Sequence, residues 1–182
     1  MKQALQAVLV TLLLLLPAAA VAQASPLTRD QTRERLRDTL NRYGSRADVN
    51  ISFHQSEKNP WNFVGSRTTG LKNLQSLEVV LMVTDKDTIS IRTYPHYGGG
   101  YINLEKVTDK TGLMRQLLLF SDHNFMFWGA DDTSDIFTGY TFTLESGYPD
   151  EAMLIVLRSV INTDDFVGQM RPFIDGSTAA AK

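Results

Sequence analysis

The sequence has no cysteine among its 182 residues. This absence excludes disulfide cross-links, thiolate metal sites, thiol nucleophiles and lipid attachment through a cysteine. Net charge is also low, because 18 lysines and arginines oppose 20 aspartates and glutamates. Without a basic excess to neutralise phosphates, we expect no nucleic acid partner. A hydrophobic content of 43% is typical of a globular protein and argues against a disordered acidic or basic tail protein.

Histidine is scarce as well: the chain has three, His54, His96 and His123. No two of them have the close spacing that would place a pair of metal ligands on one strand or helix. Asp122 directly precedes His123, but adjacent side chains of a strand point to opposite faces, which disfavours an acid–base pair. We therefore predict neither a metal site nor a catalytic histidine.

Other motifs of catalysis are missing from the sequence. Gly98-Gly99-Gly100 is not followed by the Lys-Ser or Lys-Thr of a phosphate-binding loop, and there is no Gly-x-Ser-x-Gly nucleophile motif. Asp131, Asp132 and Asp135 lack the ligand order and the distal glutamate of a calcium loop, so we interpret them as a polar turn. We predict a protein that is not an enzyme and that carries no cofactor.

The one long hydrophobic run lies at the N-terminus and resembles a secretory signal peptide. Lys2 supplies a positive charge, Val8 to Pro17 form the apolar run, and Ala22-Gln23-Ala24 has the small-x-small pattern of a cleavage site. An uncleaved membrane anchor is the alternative, but the run is shorter than the ~20 apolar residues that a span needs. We predict cleavage after Ala24, which leaves Ser25 as the mature N-terminus.

An exported chain without cysteine fits the bacterial periplasm better than a eukaryotic secretory route. No second hydrophobic run of comparable length follows, so we expect no membrane anchor after cleavage. The predicted organisation is a signal peptide over 1–24, a single α+β domain over 25–175 and a disordered tail over 176–182.

Helix signals stand at both ends of the mature chain. Thr28 and Gln31 have the spacing of a capping box, and Gly44 is placed to end the first helix in the left-handed conformation. Apolar residues from Met153 to Ile161 recur at helical spacing and then change phase, which predicts a helix with a break near Asn162.

The polar face of the first predicted helix carries a stripe of arginines, namely Arg33, Arg35, Arg37 and Arg42. Such a stripe could contact anionic lipid or an acidic partner. We interpret it as a solvated face, which is the commoner role of a charge run on a helix.

Alternating or continuous apolar patterns predict strands at Val49–Phe53, Trp61–Gly65, Leu77–Val83, Thr88–Tyr94, Asn124–Gly129 and Ile136–Leu144. A middle helix is predicted over Asp109–Phe120. The order is α-β-β-β(-β)-α-β-β-α, and consecutive strands without helical crossovers pair antiparallel. The predicted class is α+β, with helices packed on one side of an antiparallel sheet.

Several stretches resemble the YbjN-like family of bacterial domains: Gly112 to Gln116, Phe125 to Trp128, Asp131-Asp132, Phe137 to Phe142 and Leu144 to Gly147. Together with the order of elements, they make the chain from Leu77 to Ile174 similar to that family, whose members are sometimes described as sensory transduction regulators. The resemblance implies a fold similar to that of type III secretion chaperones. It also implies a protein-interaction or regulatory role rather than catalysis.

Aromatic residues around the triple glycine are the candidates for partner contact. Tyr94, His96, Tyr97 and Tyr101 surround Gly98–Gly100, and Trp61 could join them in one aromatic patch. Packing at the strand ends is the simpler alternative for these rings.

We predict an exported domain that binds a protein or peptide of unidentified nature. One alternative is a small periplasmic hydrolase whose site assembles from scattered Asp, His and Ser. Another is an envelope protein that self-associates through a sheet edge, for instance as a homodimer.

Overall fold

The structure is a computed structural model that describes residues 27–177. The predicted signal peptide, the cleavage site after Ala24 and positions 178–182 of the predicted tail lie outside the described residues. The helices are α1 (Arg29–Gly44), α2 (Lys110–His123), α3 (Asp150–Ser159) and α4 (Thr163–Ile174). The strands are β1 (Ser52–Gln55), β2 (Asn62–Arg67), β3 (Ser76–Val83), β4 (Thr88–Tyr97), β5 (Gly100–Tyr101), β6 (Phe127–Ala130) and β7 (Ile136–Thr143).

The strands form one antiparallel sheet in the order β1-β2-β3-β4-β7-β6, and β5 pairs with the end of β4 as a short hairpin. This arrangement confirms the predicted α+β class with an antiparallel sheet. Among the described helices, none is long and apolar enough to cross a lipid bilayer.

The main hydrophobic core lies between this sheet and helices α1 and α3. Leu81 of β3 stands opposite Phe63 of β2 and Ile91 of β4, and all three side chains are buried. Leu36 of α1 and Leu157 of α3 belong to the same cluster. The alternation of the strands places these apolar side chains on one face, and the helices cover that face.

A second hydrophobic cluster lies where α2 and α4 pack beside β6. Leu113 and Leu117 of α2, Trp128 of β6 and Met170 of α4 are buried in it. Trp128 lies opposite Thr138 of β7, a position on the same face of the sheet as the main core. All four helices therefore pack on one side of the sheet, as the sequence predicted.

For two strands, the sequence predicted a start that is three residues too early in the chain. The first was expected from Val49, but β1 starts at Ser52, because Asn50 has a φ of 51° and turns the chain there. The fifth was expected from Asn124, but α2 continues through His123 and β6 starts at Phe127. The Asn124 side-chain amide donates to the carbonyl of Phe120 at 2.8 Å and so fastens the end of α2.

The helix boundaries confirm two predictions and correct one. The Thr28–Gln31 capping box is formed, and the expected break is a 3₁₀ turn over Val160–Asn162 between α3 and α4. Gly44 does not adopt the left-handed conformation predicted for it. Its role is close approach, because a Cβ there would collide with the carbonyl oxygen of Ile51.

A buried carboxylate fastens the loop between β2 and β3. Asp164, at the start of α4, accepts hydrogen bonds from the backbone N–H groups of Lys72, Asn73 and Leu74 at 2.9, 2.9 and 3.0 Å. Gly168 lies one turn further along α4 at a point where a Cβ would collide with Asn73. Asp164 and Gly168 together hold the loop that precedes β3 against α4.

Candidate functional site

Alternate side chains of the strands project to the side of the sheet opposite the helices. On β4 these are Ser90, Arg92, Tyr94 and His96. Both hydrophobic clusters contain sheet residues of the other face only, so within residues 27–177 no helix covers this side. We call it the open face.

Aromatic rings gather at one corner of the open face, where β4, β5 and β7 meet. The Tyr94 ring lies 5.7 Å from that of Tyr101 and 5.6 Å from that of Phe137, measured between centroids. The His96 ring lies 4.4 Å from Tyr101 in an edge-on arrangement. These four residues form what we call the aromatic corner. The contacts fix the relative orientation of the rings, and 41% of Tyr101 remains exposed to solvent.

The corner also carries polar groups at defined positions. The Tyr101 hydroxyl donates to Glu78 Oε2 at 3.1 Å. Burial, together with the negative charge of Glu78, raises the pKa of Tyr101 to about 12, so the hydroxyl remains a donor at neutral pH. The Arg92 guanidinium lies 4.4 Å above the Phe137 ring and donates to the Tyr94 hydroxyl at 3.4 Å.

The acidic stretch between β6 and β7 borders the same corner. Asp131 accepts hydrogen bonds from the backbone N–H groups of Thr133 and Asp135 at 2.9 and 3.0 Å, so the predicted polar turn is confirmed. Desolvation opposes ionisation of Asp131, but a hydrogen bond from the Thr133 hydroxyl at 2.7 Å, together with these backbone hydrogen bonds, outweighs it and lowers the pKa of the carboxyl. Asn103, just after β5, pairs with Asp135 and brings the turn next to Tyr101.

Tyr97 lies on the other side of the β4–β5 hairpin from the aromatic corner. Its ring packs against the cluster of α2 and α4, and its hydroxyl donates to Asp175 at 2.6 Å. Hydrogen bonds from Ser177 and Tyr97 lower the pKa of Asp175 to about 2. Tyr97 therefore fits the alternative role of strand-end packing and faces a shallow groove of about 380 Å³ that Lys72 and Gly98 also line.

The structure does not bring Trp61 together with the tyrosines. Trp61 lies beside Val83 at the far end of β3, about 17 Å along the strands from Tyr94 by the rise per residue. Its ring packs against the main core, and the Arg29 guanidinium lies 4.0 Å above it. Of the residues predicted for the patch, Tyr94, His96 and Tyr101 share the aromatic corner, whereas Tyr97 and Trp61 do not.

The arginine stripe of α1 is engaged largely within the molecule. Arg33 pairs with Asp30, Arg37 with Glu34 and Arg42 with Asp150 across to α3. The guanidinium of Arg35 lies 4.5 Å from the centre of the Tyr148 ring. These contacts favour the solvated-face interpretation over a surface for anionic lipid.

The three histidines lie on separate elements. His54 is exposed on β1, His96 belongs to the aromatic corner on β4, and His123 is the last residue of α2. The expectation that Asp122 and His123 sit on a strand is wrong, since α2 extends through both. Their side chains lie 3.4 Å apart in an exposed position rather than in a cleft.

Phe137 belongs to the corner, Glu78 and Arg92 border it, and none of these three was among the predicted contact residues. The sequence holds a signal for Arg92, because it lies two residues before Tyr94 and therefore shares a face of the strand with it. For Glu78 and Phe137 there was no such signal, because their place depends on which strands pair.

No protein-family model matches the chain, and no curated protein is significantly similar to it. The resemblance to the YbjN-like family therefore stays a prediction from the sequence. What can be inferred about function depends on the geometry of the open face.

Proposed function

We propose that this chain is an exported, periplasmic, non-enzymatic domain that binds a protein or peptide at the aromatic corner of its open face. The observation that supports the proposal is the grouping of Tyr94, His96, Tyr101 and Phe137 on a sheet face that no described helix covers. Aromatic side chains supply large contact areas and lose little side-chain entropy when they are fixed.

The polar groups of the corner support recognition of a polypeptide. The Tyr101 hydroxyl and the Glu78 carboxylate place a donor and acceptors beside the rings. Protein interfaces combine an apolar centre rich in aromatic residues with a polar rim. Because the rings already contact one another, they lose little further freedom when a partner binds.

Capture of partners from a periplasmic extract tests the proposal. The full chain serves as bait in three forms: unchanged, Tyr94→Ala with Tyr101→Ala, and Tyr97→Phe as control. The Tyr97 control removes a hydroxyl that bonds Asp175 on the other side of the hairpin. We expect the double variant to lose a partner that the unchanged chain and the control retain. If all three capture the same proteins equally, binding does not take place at the aromatic corner.

A further inference from the structure

We infer that the partner segment bound at the aromatic corner is basic, a stretch of polypeptide bearing lysine or arginine. This inference rests on the proposed function and specifies the chemistry of its partner. It is carried by the charges and ring faces that border the corner.

Carboxylates outnumber cations around the corner. Glu78 lies beside Tyr101, and the turn with Asp131 and Asp135 lies on its other flank. Within residues 27–177, none of these three carboxylates forms an ion pair, and Arg92 is the cation that contacts the corner. Burial raises the pKa of the Tyr101 hydroxyl, and the negative charges of Glu78 and Asp135 raise it further. A positively charged segment complements this charge.

The rings suit a cation for a second reason. The face of an aromatic ring carries partial negative charge and attracts guanidinium or ammonium groups. The corner already holds one such contact, because Arg92 lies 4.4 Å above Phe137. Tyr101, with 41% of its surface exposed, presents ring area next to the Glu78 carboxylate. A lysine or arginine of a partner can lie against this ring while its charge faces Glu78.

Two substitutions should change the affinity in opposite directions. Glu78→Gln keeps an oxygen that accepts from the Tyr101 hydroxyl but removes the charge, so it should weaken binding of a basic peptide about two- to fivefold at moderate ionic strength. Arg92→Gln removes the resident cation and uncovers the face of Phe137, so it should strengthen binding. Opposite signs cannot come from a general loss of folding.

A matched control lies at the other end of the sheet. Asp85 is an exposed carboxylate in the turn between β3 and β4, about 20 Å from Glu78 by the rise per residue. That distance exceeds the screening length of about 10 Å at moderate ionic strength. Asp85→Asn therefore makes the same change in net charge and should leave the affinity unchanged.

Calorimetric titration of the full chain with three synthetic peptides tests the inference. The peptides alternate glycine with lysine, with glutamine or with glutamate at equal length. We expect the lysine peptide to bind and the glutamate peptide to bind at least about tenfold more weakly, with the variants shifting lysine-peptide affinity as stated. No measurable binding of the lysine peptide, equal affinity for the peptides, or equal effects of Glu78→Gln and Asp85→Asn would overturn the inference.

The outcome separates this inference from the proposed function. If charge has no effect but Tyr94→Ala with Tyr101→Ala still abolishes partner capture, the partner is not basic and the aromatic corner remains the binding site. If the double tyrosine variant captures its partner normally, the aromatic corner is not the binding site, and the inference of a basic partner is refuted as well.

Discussion

At the scale of single residues, Asp164 joins α4 to the loop between β2 and β3. It is 4% exposed, and its carboxylate accepts from three consecutive backbone N–H groups of the β2–β3 loop. A buried carboxylate is costly unless it is hydrogen-bonded in this way, and buried N–H groups are equally costly without an acceptor. The acid and the loop therefore depend on each other.

Replacing Asp164 by alanine should lower the free energy of unfolding by about 2–3 kcal/mol, because three partly buried backbone donors lose their acceptor and a fully buried donor would cost about 1–3 kcal/mol. Asp165→Ala is the matched control, since that neighbour is exposed and also lies in the first turn of α4. Its loss should cost about 1 kcal/mol or less. Urea denaturation measures the free energy of unfolding of both variants. Equal losses in the two variants would show that the loop does not depend on Asp164.

Sequence reasoning could not have found this contact. Asp164 and Asn73 are 91 residues apart, and the sequence pattern around Asp164 is that of an ordinary helix start. Gly44 shows the same limit, because its position suggested a left-handed helix end whereas its role is close contact with the chain at Ile51. Both roles depend on which segments meet in the fold.

At the scale of elements, α3 divides its residues sharply between core and solvent. Leu157 is 1% exposed and packs in the main core, whereas Ile155 on the same helix is 60% exposed. The helical spacing of apolar residues in the sequence predicted the buried side of this helix, and the structure confirms it for Met153, Val156 and Leu157.

Truncation of these two residues should have very different effects. Leu157→Ala should reduce the free energy of unfolding by ~2–5 kcal/mol, because it removes buried methyl groups and leaves a cavity. Ile155→Ala should change it by no more than about 0.5 kcal/mol, since a surface side chain loses little on truncation. Chemical denaturation measures both. A Leu157→Ala cost below about 1 kcal/mol would mean that α3 packs through another face.

The strands show which part of the fold local sequence could predict. On β4 the alternation of Ile89 and Ile91 with Ser90 and Arg92 identified the buried face correctly, because one side meets the helices and the other does not. On β3 the sequence is apolar on both faces, and the structure buries one of them fully and the other partly. At β1 the alternating pattern predicted a start that is three residues too early. Val49 and Ile51 are buried, but they lie in the turn before the strand and do not pair with a neighbouring strand. Burial without pairing has no distinct sequence pattern.

At the scale of the whole molecule, the proposal includes export and removal of the N-terminal segment. The small residues Ala22 and Ala24 fit a signal-peptidase site, so we expect cleavage after Ala24 and a mature protein that begins at Ser25. Intact-mass spectrometry of the protein from a periplasmic fraction gives the answer. A mass that retains Met1 to Ala24, or recovery only with the membranes, would contradict export as a cleaved protein.

The candidate site could be predicted only in part. Tyr94 and Tyr101 were identified because they flank a glycine-rich turn, which requires the positive φ values found at Gly98 and Gly99. Tyr97 and Trp61 were grouped with them by proximity in sequence or by residue type, and the sheet separates them. The two faces of a sheet and its two ends become distinct only once the pairing of strands is known.

The affinity of the captured partner for the Tyr94→Ala, Tyr101→Ala double variant, measured together with the melting temperature, tests binding at the aromatic corner most directly. Tyrosines at the centre of an interface commonly contribute more than about 1–2 kcal/mol each. We predict an affinity at least about tenfold lower than that of the unchanged chain, while Tyr97→Phe binds normally. The melting temperature of the double variant should stay within about 4 °C. Unchanged affinity, or loss of binding only because the double variant unfolds, would contradict a binding role for the corner.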